Sequence, residues 1–256
     1  MLPYPHIDPV ALKLGPVAIH WYGLLYLVAF AGCYVLILLK KQLSRLQLDD
    51  LIFYCALGVI IGGRLGYALF YGMEFWKQDP LFVFKIWKGG MSFHGGLLGV
   101  VLAIAYFAQK NQKSILWVGD IVAPVVPFGL AMGRLGNFIN GELWGRVSDA
   151  PWAMVFPNAG SVPRHPSSLY EFLLEGVLLY LVLAVYAGYA RRVGQISGMF
   201  LVGYGLCRIV AECFRQPDEQ LGFLLGGHIT MGQLLSVPMV LIGLYFVFRK
   251  SPYRSV

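Results

Sequence analysis

The sequence predicts an all-α polytopic membrane protein, and three observations carry that expectation. Of 256 residues, 58% are hydrophobic and only 13% charged, against about 25% charged in soluble domains. Mean hydropathy is +0.66. Several apolar runs reach roughly 20 residues, the length a helix needs to cross hydrocarbon. No stretch is left for a sizeable soluble domain, so the core has to form between helices. The net charge of +7 does not point to nucleic acid, because the basic residues sit in short loops between apolar runs, where membrane topology accounts for them.

Taken in order, residues 1–17 contain prolines and few charges, and read as a surface segment. A first span is expected over about 18–39, closed by Lys40, Lys41 and Arg45, and a second over about 51–70. Residues 72–91 interleave Phe75, Trp76, Phe82, Phe84 and Trp87 with Lys77, Lys85 and Lys88, a pattern suited to the membrane interface. Further spans are expected over about 92–109 and 115–139, before a small polar loop region, 140–168. The fifth, sixth and seventh spans fall near 169–190, 196–214 and 229–248. Ser168-Leu169-Tyr170-Glu171 reads as a capping box opening the fifth.

The loops orient the chain. After spans one, three, five and seven come Lys40, Lys41, Arg45, Lys110, Lys113, Arg191, Arg192, Arg249, Lys250 and Arg254, half of the 20 lysines and arginines. Asp8, Glu74, Asp79, Asp149, Asp218 and Glu219 fall on the opposite side. The positive-inside rule therefore puts the N-terminus outside, the C-terminus in the cytoplasm and the 140–168 loop outside the cell. Cys33, Cys55, Cys207 and Cys213 lie in apolar segments without a Cys-x-x-Cys or a histidine partner set, so they read as packing residues. Phe30-Ala31-Gly32-Cys33 faintly resembles a lipoprotein cleavage site. The apolar run continues to Leu39 and positive charge follows it rather than preceding it, so a retained span is expected.

Gly133-Arg134-Leu135-Gly136-Asn137-Phe138-Ile139-Asn140-Gly141-Glu142-Leu143-Trp144-Gly145-Arg146 breaks the apolar pattern. A charge at mid-membrane costs roughly 2.5–3.5 kcal/mol on the lenient insertion scale, so such a segment marks a site. Spans two, four and six all run outward and carry Arg64, Arg134 and Arg208. At about 1.5 Å per residue these arginines lie roughly 18–29 Å along, in the outer half of the membrane. His20, Tyr22 and His94 open inward-running spans at the same depth. Guanidinium groups match phosphate oxygens, so a phospholipid head group at the outer leaflet is the ligand these residues suit.

Within that set, Arg134 and Asn137 share a helix face. Arg208 and Glu212 are four apart, either an internal ion pair or a pair that orients Arg208 toward a ligand. Arg64, in Gly63-Arg64-Leu65-Gly66, is expected to pair with a carboxylate or backbone carbonyl. Gly58, Gly62, Gly66, Gly95 and Gly99 have the spacing of close helix contacts. His94 suits a general base. His20 fits an aromatic interface belt, whereas the Tyr22 hydroxyl has the chemistry to bind or polarise a phosphate. His165 reads as structural, Glu171 as a cap, and Glu142 as steadying neighbouring cations or anchoring the loop.

Ser92-Phe93-His94-Gly95-Gly96-Leu97, the whole Gly133–Arg146 segment, Arg164-His165-Pro166-Ser167, Gly203-Tyr204-Gly205 leading to Arg208, and His20-Trp21-Tyr22-Gly23 together resemble the bacterial prolipoprotein diacylglyceryl transferases. The resemblance covers nearly the whole chain. It implies a cytoplasmic (inner) membrane enzyme whose site faces the outer leaflet and whose partners are the bilayer, phosphatidylglycerol and a prolipoprotein signal peptide with a lipobox cysteine. The implied reaction, the first step of bacterial lipoprotein maturation, moves the diacylglyceryl group to the cysteine thiol, forming a thioether and releasing glycerol 1-phosphate. Carried over by motif, His94, Arg134, Arg208 and Tyr22 are the expected catalytic residues. Asn137, Gly145, Glu142 and Glu212 join Arg134 and Arg208 in binding phosphatidylglycerol. No metal and no cofactor is expected, because guanidinium groups supply the positive charge. The outer loop between Trp152 and Arg164 is shorter than in many members.

Other classes make different demands. A membrane transporter or binding protein for an anionic lipid or solute is the alternative. A transporter needs a polar path through both membrane halves, and the cytoplasmic halves here are almost entirely apolar. A zinc-dependent intramembrane protease needs a His-Glu-x-x-His motif that the sequence lacks.

Overall fold

The computed structural model describes residues 2–217, 222–224, 229–250 and 252–253. Asp218, Glu219 and Arg254, which entered the topology argument, lie outside the described residues. In chain order the elements are strands β1 (Val10–Leu14) and β2 (Val17–His20), then helices α1 (Trp21–Leu39), α2 (Arg45–Phe70), α3 (Met73–Gln78), α4 (Phe93–Lys110), α5 (Ile115–Val122) and α6 (Val126–Ile139). There follow α7 (Ser167–Glu171), a π-helical stretch (Phe172–Leu178), α8 (Leu179–Tyr186), α9 (Gln195–Glu212) and α10 (Met231–Phe248). Among the described residues five helices are long and apolar enough to cross a bilayer, or six spans if the bent pair α5–α6 counts as one. α9 has the 18-residue length but carries Gln195, Arg208 and Glu212 among its apolar residues. The chain is thus a mostly helical, polytopic membrane protein. Leu27, Phe53, Leu102, Leu181 and Leu241 are exposed on its helices, as lipid-facing side chains are.

Several expected boundaries move for identifiable reasons. The first helix starts at Trp21 rather than Ala18, because residues 17–20 pair as a hairpin with Val10–Leu14. α2 starts six residues before Leu51, where Ser44 and Gln47 form a reciprocal capping box. The fourth span is two helices bent by 52°. Pro124 lies in the break and Pro127 in the first turn of α6, each removing a backbone donor. The fifth span is continuous from Ser167 to Tyr186 but passes through π geometry.

The chain divides into two compact units. Ile37–Gly119 forms one. There α2 and α4 pack so closely that a Cβ on Gly58, Gly62 or Gly99 would strike backbone of the facing helix. The glycines the sequence sets four apart are those contacts. Ser92 begins α4, its hydroxyl accepting from Gly95 N and its own N–H donating to Gly63 O at 2.9 Å. The aromatic 72–91 stretch folds as α3 and two 3₁₀ turns, with Phe75, Phe84 and Trp87 exposed.

Residues 1–36 and 120–256 form the other unit. α9 and α10 run antiparallel, Gly198 meeting Gly243 and Gly205 meeting Ser236 and Val240. Asp120, fully buried, fixes the start of α9: its carboxylate accepts from Gly194 N at 2.7 Å and from Ser197 N and Oγ at 2.8 Å. A carboxylate at a helix N-terminus satisfies orphan donors and complements the dipole. Gly176 of the π stretch lets that helix approach Ala131 of α6. These close approaches bring α6, α9 and the Ser167–Tyr186 helix together around one polar cluster.

Candidate functional site

Arg134 projects from α6 and Arg208 from α9, and both reach the carboxylates of Glu171 and Glu175. Arg134 Nε lies 2.8 Å from Glu171 Oε2, and Arg134 Nη2 lies 3.2 Å from Glu175 Oε2. Arg208 Nη1 lies 3.3 Å from Oε1 of each glutamate, and Arg208 Nη2 is 2.5 Å from Glu212 Oε1. Arg215 Nη1 adds a contact of 3.1 Å to Glu171 Oε1. The glutamate side chains at 171 and 175 are fully buried, while the two arginine side chains remain 17% and 15% exposed. The two carboxylates are therefore enclosed, while part of each arginine side chain stays accessible.

Burying a charge is tolerable only when it is paired and hydrogen-bonded. Among the described residues, the guanidiniums of Arg134, Arg208 and Arg215 pair with the carboxylates of Glu171, Glu175 and Glu212. Gly232 makes room for the Glu212 carboxyl, which a Cβ there would strike. The Arg208–Glu212 pair exists, and it belongs to this larger network rather than standing alone.

Glu171 corrects an expectation. α7 starts at Ser167 behind Pro166, with no side-chain cap, so Ser168 lies inside the first turn with its buried hydroxyl making no hydrogen bond, and Glu171 faces three arginines. The attraction of charged guanidiniums outweighs that of a neutral backbone N–H. Glu175 and Arg215 were missed as well. The rule that singled out arginines in apolar helices applies equally to glutamates at i and i+4 on one, and would have found Glu171 and Glu175.

The other motif residues of this unit flank the cluster. Asn137, buried, donates its amide to Glu142 Oε1 at 2.9 Å, and Asn140 donates to the same oxygen at 3.2 Å. Glu142 thus anchors the loop through amides, the second of its two expected roles. The Tyr22 ring lies against Gly136, where a Cβ would collide with it, and its hydroxyl is 3.5 Å from that of Tyr26. Arg134 and Glu142 are the charged groups whose fields reach that hydroxyl.

Gly145 is buried in backbone pairing. Its N–H donates to His165 O at 2.8 Å, and its carbonyl accepts from Arg164 Nη1 at 3.2 Å. Arg146 donates from Nε to Arg215 O and from Nη2 to Glu212 O, both at 3.0 Å, closing the carbonyl end of α9. His165 keeps its structural reading, with Nδ1 3.0 Å from the Tyr170 hydroxyl and its ring against Phe214. Burial pushes its imidazole pKa below the usual value.

His94 and Arg64 belong to the Ile37–Gly119 unit. His94 is exposed in the first turn of α4. Arg64 is buried and donates to the carbonyls of Phe82, Val83, Lys85, Gly89 and Gly90, so its expected backbone pairing is found. It pins the interfacial turns and has no carboxylate among these partners.

Residues 9–249 match the family model described as prolipoprotein diacylglyceryl transferase. A Legionella pneumophila (strain Philadelphia 1) protein is 56% identical over 255 residues, covering 98% of this chain and all of the relative. A Vibrio cholerae (strain O395) protein is 54% identical, covering 99% of this chain and 96% of the relative. A Polynucleobacter necessarius (strain STIR1) protein is 56% identical, covering 96% and 97%. All three relatives are named phosphatidylglycerol–prolipoprotein diacylglyceryl transferase. A family model that matches residues 9–249 and identity of this extent over nearly whole chains place this chain in the prolipoprotein diacylglyceryl transferase family.

Proposed function

We infer that the chain transfers the diacylglyceryl group of phosphatidylglycerol to the lipobox cysteine thiol of a prolipoprotein, in a bacterial cytoplasmic membrane, with its site toward the outer leaflet. The observation that carries the phosphate part of this reading is the Arg134–Arg208 pair, two guanidiniums from separate helices held by shared carboxylates, with part of each side chain accessible. The excess of lysine and arginine after spans one, three, five and seven supports the orientation.

The chemistry needs a thiolate and a stabilised leaving group. A free thiol has a pKa near 8.5, so only a few per cent is ionised at neutral pH. His94 is the proposed proton acceptor; its motif supports the assignment, as does an exposed ring in the first turn of α4. The thiolate sulfur attacks the glycerol carbon bonded to the phosphate, a C–S bond forms, and the C–O bond to the phosphate breaks. Glycerol 1-phosphate departs with that electron pair. Arg134 and Arg208 stabilise the charge that gathers on it, as fixed donors in a water-poor site do. Tyr22 adds a hydroxyl beside Gly136, while Asn137 and Glu142 hold the backbone that follows Arg134. Gly145 and Glu212 keep the outer loop and Arg208 in register.

The test is direct. Purified protein, phosphatidylglycerol and a lipobox-cysteine peptide are combined, and the diacylglyceryl mass increment and released glycerol phosphate are measured. Turnover by wild type and its loss in Arg134→Ala are expected. Unchanged product formation in that variant removes Arg134 from the mechanism.

A further inference from the structure

The two central glutamates are held differently. Glu171 is gripped by three guanidiniums, of Arg134, Arg208 and Arg215, with its shortest contact at 2.8 Å. Glu175 meets only two, and at longer range: Oε2 lies 3.2 Å from Arg134 and Oε1 lies 3.3 Å from Arg208. Its two oxygens thus bridge two guanidiniums on separate helices. Carboxylate and phosphate present matching oxygen pairs to such forks, so this is also how a phosphodiester would span them.

Charge points the same way. The carboxylates of Glu171, Glu175 and Glu212 already occupy donors of Arg134 and Arg208. A phosphodiester anion in a medium of low dielectric, where like charges repel strongly, competes with them for those donors. Glu175 holds them at 3.2 and 3.3 Å, against 2.8 Å from Glu171 to Arg134 and 2.5 Å from Glu212 to Arg208. Glu171 ends the α-helical segment α7, whereas Glu175 lies inside the π-helical stretch Phe172–Leu178. A π turn holds one residue more than an α turn and recurs at functional sites, and Glu175 lies in such a turn while Glu171 does not. The charged or titratable groups facing Glu175 are Arg134 from α6, Arg208, Tyr204 and Cys207 from α9, and Glu171 from its own helix.

We propose that Glu175 is a resident stand-in for the substrate, holding Arg134 and Arg208 ready until the phosphodiester of phosphatidylglycerol displaces its carboxylate. The proposal rests on the arginine pair being the phosphate site. Glu175 acts through the arginines, so it is a positioning residue.

The experiment measures turnover of full-length protein against the mole fraction of phosphatidylglycerol in phosphatidylcholine vesicles, for wild type, Glu175→Gln, Glu175→Asp and Glu171→Gln. Removing a competing charge is expected to lower KM for phosphatidylglycerol about tenfold in Glu175→Gln. Glu175→Asp, which keeps the charge but draws it back from both guanidiniums, is expected to shift KM the same way by less. Glu171→Gln is expected to raise KM. A merely structural ion pair, once lost, raises KM or lowers kcat, so a fall in KM separates the two roles. Wild-type turnover with KM raised or unchanged in both Glu175 variants overturns the stand-in role alone. Absence of turnover in wild type overturns instead the reading on which it rests.

Discussion

Arg134 and Arg208 stand on different helices yet bind the same two carboxylates, of Glu171 and Glu175, and are thereby fixed as a pair. A guanidinium forks across two acceptors and an ammonium does not. Arg134→Lys and Arg208→Lys keep the counter-charge, and with it the fold, but lose the parallel donors. Each is expected to cut diacylglyceryl transfer by about a hundredfold or more, the scale of removing one fixed donor from a transition-state site. Peptide mass spectrometry under single-turnover conditions measures it; wild-type rates in both variants would separate the pair from the chemistry.

Arg64 has a different task, because its donors all go to backbone carbonyls of the interfacial turns. Arg64→Met would leave these acceptors without a partner at a cost of roughly 3 kcal/mol. Hydrogen exchange of the Leu81–Phe84 and Ile86–Lys88 amides is expected to quicken while that of α9 stays as it was. Equal protection in both proteins would contradict the assignment.

Gly145 and Gly133 make opposite predictions despite sharing one motif. A Cβ on Gly145 would sit 2.5 Å from Phe214 O and 2.7 Å from the Cβ of His165, whereas one on Gly133 meets nothing within 4 Å. Gly145→Ala is expected to open the 145–165 pairing and destabilise the outer loop by about 1–3 kcal/mol. Gly133→Ala gains helix propensity and is expected to unfold no earlier than wild type. Thermal unfolding of the two variants in detergent, followed by fluorescence, compares them.

Acid should loosen the same loop through His165. Its pKa in the folded state lies below the ordinary value near 6.5 because burial disfavours the charged ring. The unfolded chain therefore takes the proton first as pH falls. The stability this residue contributes is complete above about pH 6.5 and is lost as pH drops from there through the lower folded value. His165→Gln is expected to flatten that part of the profile, measured as unfolding midpoint between pH 7.5 and 5. A slope identical to wild type would show that His165 has no share in it.

The apolar runs and the glycine spacings were legible because membrane burial imposes simple rules on length and side-chain size. Each of the seven expected spans has helix over it, but among the described residues only five or six qualify as spans by length and apolarity, the polar residues of α9 setting it apart. Gly58, Gly62, Gly95 and Gly99 meet across α2 and α4 as their spacing foretold. The β1–β2 hairpin was not legible, since its strands are short and their partner is a neighbour in sequence rather than a patterned face. Glu171 was misread for a related reason. Ser-x-x-Glu matches a local cap, and only the approach of α6 and α9 supplies arginines that hold the carboxylate more strongly.

Sequence alone settled that this chain crosses a membrane repeatedly, that charge inside its apolar helices needs a partner or a ligand, and, through motifs spread over its whole length, which family it belongs to. These follow from hydrocarbon thickness and the cost of charge in it, which act on each segment separately. Tertiary structure alone decided who neutralises whom: Arg64 turns to backbone, Arg134 and Arg208 turn to Glu171 and Glu175, and Arg215 joins them at Glu171. Ion pairing depends on a few ångströms between side chains far apart in sequence, and helix packing sets that separation.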